Sequence, residues 1–377
     1  MKYITTCIIL AAILMPQSAL AFEGYEYELD IDIIFSEQAE MSGADRLLDS
    51  IEDDVRQRLA DNGIDSINPD VIAEFNLITF MSNTWDMIKT QFTAPFALFL
   101  TITGIMLLCA MLGALKSGEE NAMGGAYSII TGLAVCAVTL APVVKVIGDA
   151  ADSIRQAGDF MLSFIPVYVS VVTAAGRPTT AAAYSAVLFT ATQGMMSIVS
   201  GTLVPLLGVF AAISAAGSAG GKIKLDSAAG MIKKVVLWSL GLLLTLFIGI
   251  LSIQTMVTNS ADTVVVKTAK FMVSSFIPVV GGPVSEALNT VIGCLAMLKT
   301  TVAGIGIIVC LFTLLPTIIS LVLYMTALHA ASAAGDILGI ERIPGILKSA
   351  ADTMSIMLGA VVFAAVLITV STTVIAR

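Results

Sequence analysis

Residues 300–328 read TTVAGIGIIVCLFTLLPTIISLVLYMTAL, a stretch without a single charged side chain. A helix needs about 20 apolar residues to span the hydrocarbon core of a bilayer, so this stretch holds one spanning helix with length left over. Further uncharged windows of spanning length recur along the chain, at 93–115, 121–144, 178–221, 235–258 and 353–376. The windows predict an all-α polytopic membrane protein embedded in the lipid bilayer.

The composition supports the same class. Apolar residues make up 57% of the 377 and charged residues 12%, whereas soluble domains have about 45–50% and 25%. The apolar excess is aliphatic and small, which lets helices approach one another closely in lipid. A large soluble enzyme and a disordered chain are excluded, and the net charge of −9 has the wrong sign for a nucleic-acid partner.

The N-terminal end resembles a signal peptide followed by an acidic exported region. Residues 1–21 combine Lys2, an apolar run and a final Ala-Leu-Ala, the pattern that signal peptidase accepts. The alternative is an uncleaved first membrane helix. Either interpretation places 22–90, with 17 acidic and 4 basic residues, outside the cytoplasm.

Residues 22–90 are predicted to form a tail and two amphipathic helices. The first has capping-box spacing at Ser42 and Asp45, an apolar face and a closing glycine at Gly63. Its face consists of Leu48, Ile51, Val55 and Leu59. The second helix begins at Asn68-Pro69, and its stripe is Ile72, Phe75, Ile78, Met81, Trp85 and Ile88. This stripe needs a partner, either the membrane surface or another protein's helix.

The basic residues predict the orientation. Lys222, Lys224, Lys233 and Lys234 place 222–234 in the cytoplasm by the positive-inside rule. The loop with Arg342 and Lys348 is then also cytoplasmic, and 353–376 takes the C-terminus out. The amphipathic stretch 146–159 is predicted to lie in the interface plane, with Ile147, Ala150, Ile154 and Met161 on one face.

A duplicated motif predicts a direct internal repeat. FMLSFIPV at 160–167 returns as FMVSSFIPV at 271–279, with seven identities, and the spacing of 111 residues recurs at Val204-Pro205 and Leu315-Pro316. The predicted organisation is a signal peptide at 1–21, the acidic region at 22–90, a first transmembrane helix and loop at 91–120, membrane repeats at 121–234 and 235–350, and a C-terminal transmembrane helix at 351–377.

Each copy carries a helix break at a corresponding place, and such breaks are a sequence pointer to a central site or pore. The candidate pathway or partner-docking residues are Pro166, Gly176, Arg177, Pro178, Pro278, Gly281, Gly282, Pro283 and Glu286. A plain kink or surface turn is the alternative. Glu286 is either a carboxylate at membrane depth or a first-turn carboxylate that interacts favourably with the positive N-terminal end of a helix at the interface.

No catalytic, cofactor or metal site is predicted. The glycine-rich run at 217–222 lacks the Walker A spacing and its final Ser or Thr, so nucleotide hydrolysis is not expected. His329 is the only histidine, and its apolar setting favours a packed or hydrogen-bonded side chain over a proton relay. The five cysteines lie in apolar runs without CxxC spacing and are interpreted as small buried hydrophobes.

Residues 270–299, KFMVSSFIPVVGGPVSEALNTVIGCLAMLK, resemble the signature region of the stage III sporulation protein AE family of endospore-forming bacteria. The resemblance implies a role in the complex that joins mother cell and forespore after engulfment, in the mother-cell-derived membrane. It also implies partners, namely sister membrane proteins of a secretion-like apparatus and a separate ATPase. A homo-oligomer is left open.

Two other functions remain open at this point. An autonomous secondary transporter would also use repeated broken helices, although few ionisable residues beyond Glu286, His329 and Asp336 are available to bind its substrate. A structural scaffold would use its helices only to assemble partners.

Overall fold

The fold is helical throughout the residues that the structure describes. The computed structural model describes residues 31–73, 76–115, 122–198, 201, 205–206, 208–209, 230–254, 281–340 and 343–376, and these contain helices and turns but no strand. The predicted all-α class is therefore confirmed. The predicted signal peptide and the second copy of the motif, at 271–279, lie outside the described residues, so the internal repeat stays a prediction.

The helices range from five to 57 residues. Four elements precede the long helices: α1 (Ile31–Ser42), a 3-10 helix (Ala44–Ser50), α2 (Asp53–Ala60) and α3 (Pro69–Ala73). The longer helices are α4 (Leu77–Leu115), α5 (Ala122–Ala174), α6 (Pro178–Ile198), α7 (Gly230–Gln254), α8 (Gly281–Ile337) and α9 (Ile343–Ala376).

The first predicted amphipathic helix is divided. Gly43 adopts φ +73°, a left-handed conformation that ends α1, and the chain continues as the 3-10 helix and then α2. The predicted capping box does not form, because the Ser42 hydroxyl donates to the Ala39 carbonyl instead. The predicted face is nevertheless buried, and Gly63 closes α2 with φ +79°, as predicted.

The second predicted amphipathic helix merges with the first spanning helix. The Asn68 side chain accepts the Asp70 amide at 3.2 Å and opens the short α3. Asn76 then accepts the Ile78 amide at 2.9 Å and opens α4, which runs without interruption past the predicted boundary at residue 90. Ile78 and Trp85 of the predicted stripe are exposed on α4.

The prediction of a separate interfacial helix at 146–159 is wrong. These residues form the middle of α5, a single helix of 53 residues. The apolar face was assigned correctly, since Ile147, Ala150, Ile154 and Met161 are all buried. Pro142 and Gly148 lie at this junction, but neither interrupts the helix, which continues from the apolar window into this face.

The long helices pack in a consistent register around α8. The Ser153 and Thr317 hydroxyls are 2.6 Å apart, and the Phe164 ring packs over Gly306, so α5 runs antiparallel to α8. Phe80 makes an edge-to-face contact with Phe312, at 5.5 Å between ring centroids, and a Cβ on Gly335 would lie 3.2 Å from Sδ of Met106, so α4 runs parallel to α8.

The α8–α9 turn, the start of α7 and the start of α5 lie at one end of the bundle. The Ser332 hydroxyl donates to the Pro344 carbonyl at 3.1 Å across the α8–α9 turn. Lys233 at the start of α7 forms an ion pair with Asp352 of α9. A Cβ on Gly132, early in α5, would lie 3.9 Å from Ile346. The lysine-rich start of α7 and the α8–α9 turn therefore share one side of the molecule, as the predicted topology requires.

Five helices within the described residues are long and apolar enough to cross a membrane. Their apolar segments are Ile78–Met111, Ile130–Ala174, Gly230–Gln254, Thr290–Ile337 and Ile343–Thr373. The α8 and α9 segments are the most buried, at 50% and 67%, whereas those of α4 and α7 are 22% buried. The helices α8 and α9 therefore form the centre, and α4 and α7 offer apolar side chains to the surroundings.

The close contact between α5 and α8 depends on Gly306. A Cβ added there would lie 2.7 Å from Cε2 of Phe164, whose ring is fully buried. We expect Gly306→Ala to lower the free energy of unfolding by about 1–3 kcal/mol through overpacking. Gly293→Ala is the matched control on the same helix, because a Cβ at Gly293 meets nothing within 4 Å and alanine favours helix. Thermal unfolding in detergent measures both, and equal stability of the two variants would contradict the packing argument.

Candidate functional site

The first predicted break is a sharp turn between α5 and α6. Gly176 has φ +80°, its amide donates to the Thr173 carbonyl at 3.0 Å, and the Arg177 amide donates to the Val172 carbonyl at 3.2 Å. These bonds satisfy the carbonyls that the end of α5 leaves unpaired. Pro178 is the first residue of α6, where its missing N–H costs nothing. The predicted Gly-Arg-Pro break is therefore confirmed as a helix–turn–helix.

Pro166, by contrast, does not interrupt the chain. It lies exposed in the interior of α5, which continues for eight further residues to Ala174. Of the candidate residues in the first copy, only Gly176, Arg177 and Pro178 form the turn.

The second predicted break coincides with the start of α8. The helix begins at Gly281, Pro283 is its third residue, and Glu286 follows within the second turn. Proline is tolerated in the first turn of a helix because the first amides have no partner within the helix. The side chains at 281–289, and Pro278 with the whole segment before Gly281, lie outside what the structure describes.

The two breaks lie at different heights along α8. The pairs Ser153–Thr317 and Phe164–Gly306 set a constant antiparallel register, and continuing it places Arg177 level with Gly293. Gly281 is 12 residues further toward the N-terminus of α8, which corresponds to about 18 Å along the axis. The start of α8 therefore extends well past the α5–α6 turn.

A cluster of polar side chains, which the sequence did not single out, lies beside the turn. Lys299 of α8 is 7% exposed and Tyr168 of α5 is 2% exposed. Arg177 is close enough to interact electrostatically with both, and Tyr184 of α6 approaches Tyr168. The signal for Lys299 was its position as the only charged residue in 287–335. We call Tyr168, Arg177 and Lys299 the turn cluster.

The acidic N-terminal region packs on the same half of the bundle. The Ser170 hydroxyl donates to the Ser42 carbonyl at 3.0 Å, which joins the end of α1 to the last turns of α5. Arg58 of α2 donates to the Phe312 carbonyl at 3.4 Å. Pro316, four residues after Phe312, has no amide, so this carbonyl has no helical partner and Arg58 supplies one.

This contact predicts a coupling between Arg58 and Pro316. We expect Arg58→Ala to lower the free energy of unfolding by about 1–3 kcal/mol, because the buried Phe312 carbonyl loses its donor. Pro316→Ala restores an amide within α8, so Arg58→Ala should cost less in that background. Thermal unfolding of the four proteins in detergent gives the coupling energy. Equal costs of Arg58→Ala in both backgrounds would show that the carbonyl contact contributes nothing.

The remaining sequence candidates lie elsewhere. His329 and Asp336 are exposed on α8, so His329 is not packed in the interior, and its interpretation as a hydrogen-bonded side chain stays a prediction. Residue 329 falls on the outer face of a helix whose inner face is already filled by Leu328 and Ala331. Cys294 and Cys310 are buried as predicted, Cys109 and Cys136 are half-buried, and Cys7 lies outside the described residues.

The comparisons with known proteins point to one family. The family model for stage III sporulation protein AE matches residues 69–377, from the start of α3 through α9. The chain is 25% identical to the stage III sporulation protein AE of Bacillus subtilis (strain 168) over 215 residues, which cover 56% of this chain. The matched part spans about half, 54%, of that relative. No solved structure matches the chain. Because the family model covers most of the chain, including every long helix, the chain belongs to the stage III sporulation protein AE family.

Proposed function

We propose that this chain is a multi-pass membrane subunit of a channel or secretion-like complex that joins mother cell and forespore and is required after engulfment. The observation that carries the proposal is the family match over 69–377, which includes all five helices of spanning length. In this proposal the protein lies in the mother-cell-derived membrane around the forespore.

The exposed apolar faces support a protein that has neighbours in the membrane. Exposed large side chains run along α4 and α7, and include Phe96, Leu108, Trp238 and Leu246. Lipid or partner helices would cover these faces. A subunit of this kind needs no energy source of its own, and we propose a separate ATPase and sister membrane proteins as its partners.

A secondary transporter is the second candidate, and one observation favours it. Lys299 is a buried ionisable side chain within the apolar segment of α8, and such residues mark substrate or ion pathways in transporters. The α5–α6 turn beside it gives the irregular backbone that these sites use.

Purification of the protein distinguishes a subunit of a complex from an autonomous secondary transporter. We expect the tagged chain, solubilised from sporulating cells, to bring with it the membrane proteins and the ATPase encoded by neighbouring genes. The chain alone in liposomes should show no uptake of small solutes driven by a proton or sodium gradient. Solute uptake that depends on such a gradient, together with purification as a lone protein, would overturn the complex in favour of the transporter.

A further inference from the structure

One side of α5 carries a row of polar and charged side chains. They recur every three or four residues, so they lie along one side of the helix. All of them are exposed except Gln156, which is half-buried, and Asp152 also forms an ion pair with Arg155 at 3.2 Å. We call this row the polar face of α5, and its members are Lys145, Asp149, Asp152, Gln156, Asp159 and Ser163.

The helix α7 has the properties of a membrane span that faces lipid. From Val235 to Gln254 it has no charged residue, and these 20 residues correspond to about 30 Å, the thickness of the hydrocarbon core. Its large apolar side chains, including Trp238, Leu246 and Ile253, are exposed. An apolar helix with such exposure belongs in lipid, so α7 indicates which heights of the bundle lie within the hydrocarbon.

The height of α7 relative to α9 follows from two contacts. Lys233 forms an ion pair with Asp352, and a Cβ on Gly359 would lie 3.1 Å from Cδ2 of Leu237. The two helices therefore run parallel, and each α7 residue lies level with the α9 residue 119–122 positions later.

The height of α5 relative to α9 follows from contacts near the start of α9. A Cβ on Gly132 would lie 3.9 Å from Ile346, and Leu140 and Ala350 line one small cavity between the helices. These two helices also run parallel, and each α5 residue lies level with the α9 residue 210–214 positions later.

The polar face of α5 therefore lies at the height of the apolar α7. The two registers place Val235 level with residues 140–147 of α5, and Gln254 level with residues 159–166. The members of the polar face between these limits are Asp149, Asp152 and Gln156. Charged side chains at this depth are costly against lipid and instead face water or polar protein.

Charged groups of α4 lie at the same height. Asp86 and Lys89 form an exposed ion pair at 2.8 Å. The ring and methionine contacts between α4 and α8 place this pair level with residues 315–321 of α8, next to Thr317, which contacts Ser153 of α5. Two helices thus present charged side chains at heights where α7 has none.

The acidic N-terminal region lies at the outer end of the polar face. Ser170, two turns beyond Ser163 on the same side of α5, donates its hydroxyl to the Ser42 carbonyl at 3.0 Å. A Cβ on Gly43 would lie 3.9 Å from Val167. An aqueous route along the polar face would therefore open beside a region that has 17 acidic and 4 basic residues.

We propose that the polar face of α5 lines a water-filled pathway through the membrane, which this chain forms together with a neighbouring subunit, while α7 faces lipid. The pathway rests on the proposed role in a channel complex and names the surface that the channel uses. Three of the four charged residues of the polar face are acidic, and so is the region at its outer end. Such a lining favours cationic over anionic solutes.

The two tryptophans of the chain test the height of α7. The purified full-length protein is reconstituted in vesicles of phosphatidylcholine brominated on its acyl chains, with Trp85→Phe leaving Trp238 and Trp238→Phe leaving Trp85. Trp238 should lose most of its fluorescence, because it contacts the acyl chains. Trp85, next to the Asp86–Lys89 pair, should lose much less. Equal quenching of both tryptophans, or none of Trp238, would overturn the proposal.

Cysteine labelling tests for water along α5. Asp152→Cys and Gln156→Cys are made in the full chain with its natural cysteines replaced by alanine. They are treated with a membrane-impermeant maleimide in membranes from sporulating cells, where the proposed partners are present. Leu246→Cys is the matched control, because the registers place it level with residues 151–158 of α5. Both α5 cysteines should react at least about tenfold faster than the control, since the hydrocarbon core holds no water.

Each other labelling result contradicts the proposal. Slow labelling of both α5 cysteines would show that protein covers the polar face, and equally fast labelling of Leu246→Cys would place α7 in water. If Asp152→Cys does not accumulate, Gln156→Cys decides alone, because it removes no charge. Purification without partner proteins would contradict the complex, whereas quenching and labelling report only on this surface, so the two failures are distinguishable.

Discussion

Deletion of the gene for this chain is expected to leave vegetative growth unchanged and to abolish heat-resistant spores. The chain belongs to a sporulation family, and the proposed complex acts only after engulfment. Development should therefore stop with the forespore fully engulfed and with late forespore-specific transcription absent. Spore counts after heating, together with membrane staining of sporulating cells, measure both the loss and the stage of arrest.

The natural gene supplied at a second site should restore spores, and so should Leu246→Ile. Leu246 is exposed on α7, and the exchange keeps its volume and apolar character, so it tests whether any change in the membrane region is harmful. Arrest before engulfment would move the protein to an earlier step, and a normal spore count would exclude an essential role.

The helices were predictable from the sequence, but the joins between them were not. An apolar window of 20 residues favours a helix in a membrane, and the described residues of the predicted spans at 93–115, 121–144 and 353–376 lie on long helices. Where one helix ends depends on backbone breakers. Pro142 and Gly148 flank the change from an apolar to an amphipathic pattern near residue 146, and α5 nevertheless continues through both, whereas Gly176 together with Pro178 ends it.

In the N-terminal region, one helix was predicted where the structure has separate shorter elements. Its apolar periodicity through Leu48 and Leu59 predicted one helix, and those side chains are buried. Gly43 and the extended residue Ile51 nevertheless divide the segment, because the buried face has to follow the surface of α5 and α8. Only the tertiary contact, seen at Ser42 and Ser170, specifies that path.

The candidate site also has a part that the sequence predicted and a part that it did not. The turn at Gly176 and Pro178 was predictable, because the local chemistry of glycine and proline determines it. Lys299 was not assigned a role, although it is the single charge in its apolar stretch, because its burial depends on how the neighbouring helices pack against α8. The sequence also gave no indication that Pro316 leaves the Phe312 carbonyl to Arg58, because the two residues of this hydrogen bond are 254 positions apart.

The start of α8 gives the last prediction. Gly281 and Gly282 disfavour helix by about 1 kcal/mol each relative to alanine, and Pro283 cannot donate an amide to a longer helix. Replacing all three by alanine should therefore extend α8 toward its N-terminus. We propose that this end, about 18 Å beyond the α5–α6 turn, lines a pathway or binds a partner. The triple variant should then accumulate in the membrane at the natural level and yet form no heat-resistant spores.

Glu286→Gln separates the two interpretations of the carboxylate. If Glu286 lies at membrane depth and contacts the pathway or partner, the exchange should reduce spore counts in the same assay, though less than the triple variant does. If Glu286 only interacts with the positive N-terminal end of α8 at the interface, the exchange removes about 0.3–1 kcal/mol of helix stabilisation. Spore counts should then stay unchanged. Immunoblots of membrane fractions control for protein level, with Leu246→Ile as the neutral reference. Normal sporulation by the triple variant at natural protein level would show that the start of α8 is architectural, and the functional surface would then have to lie elsewhere on the bundle.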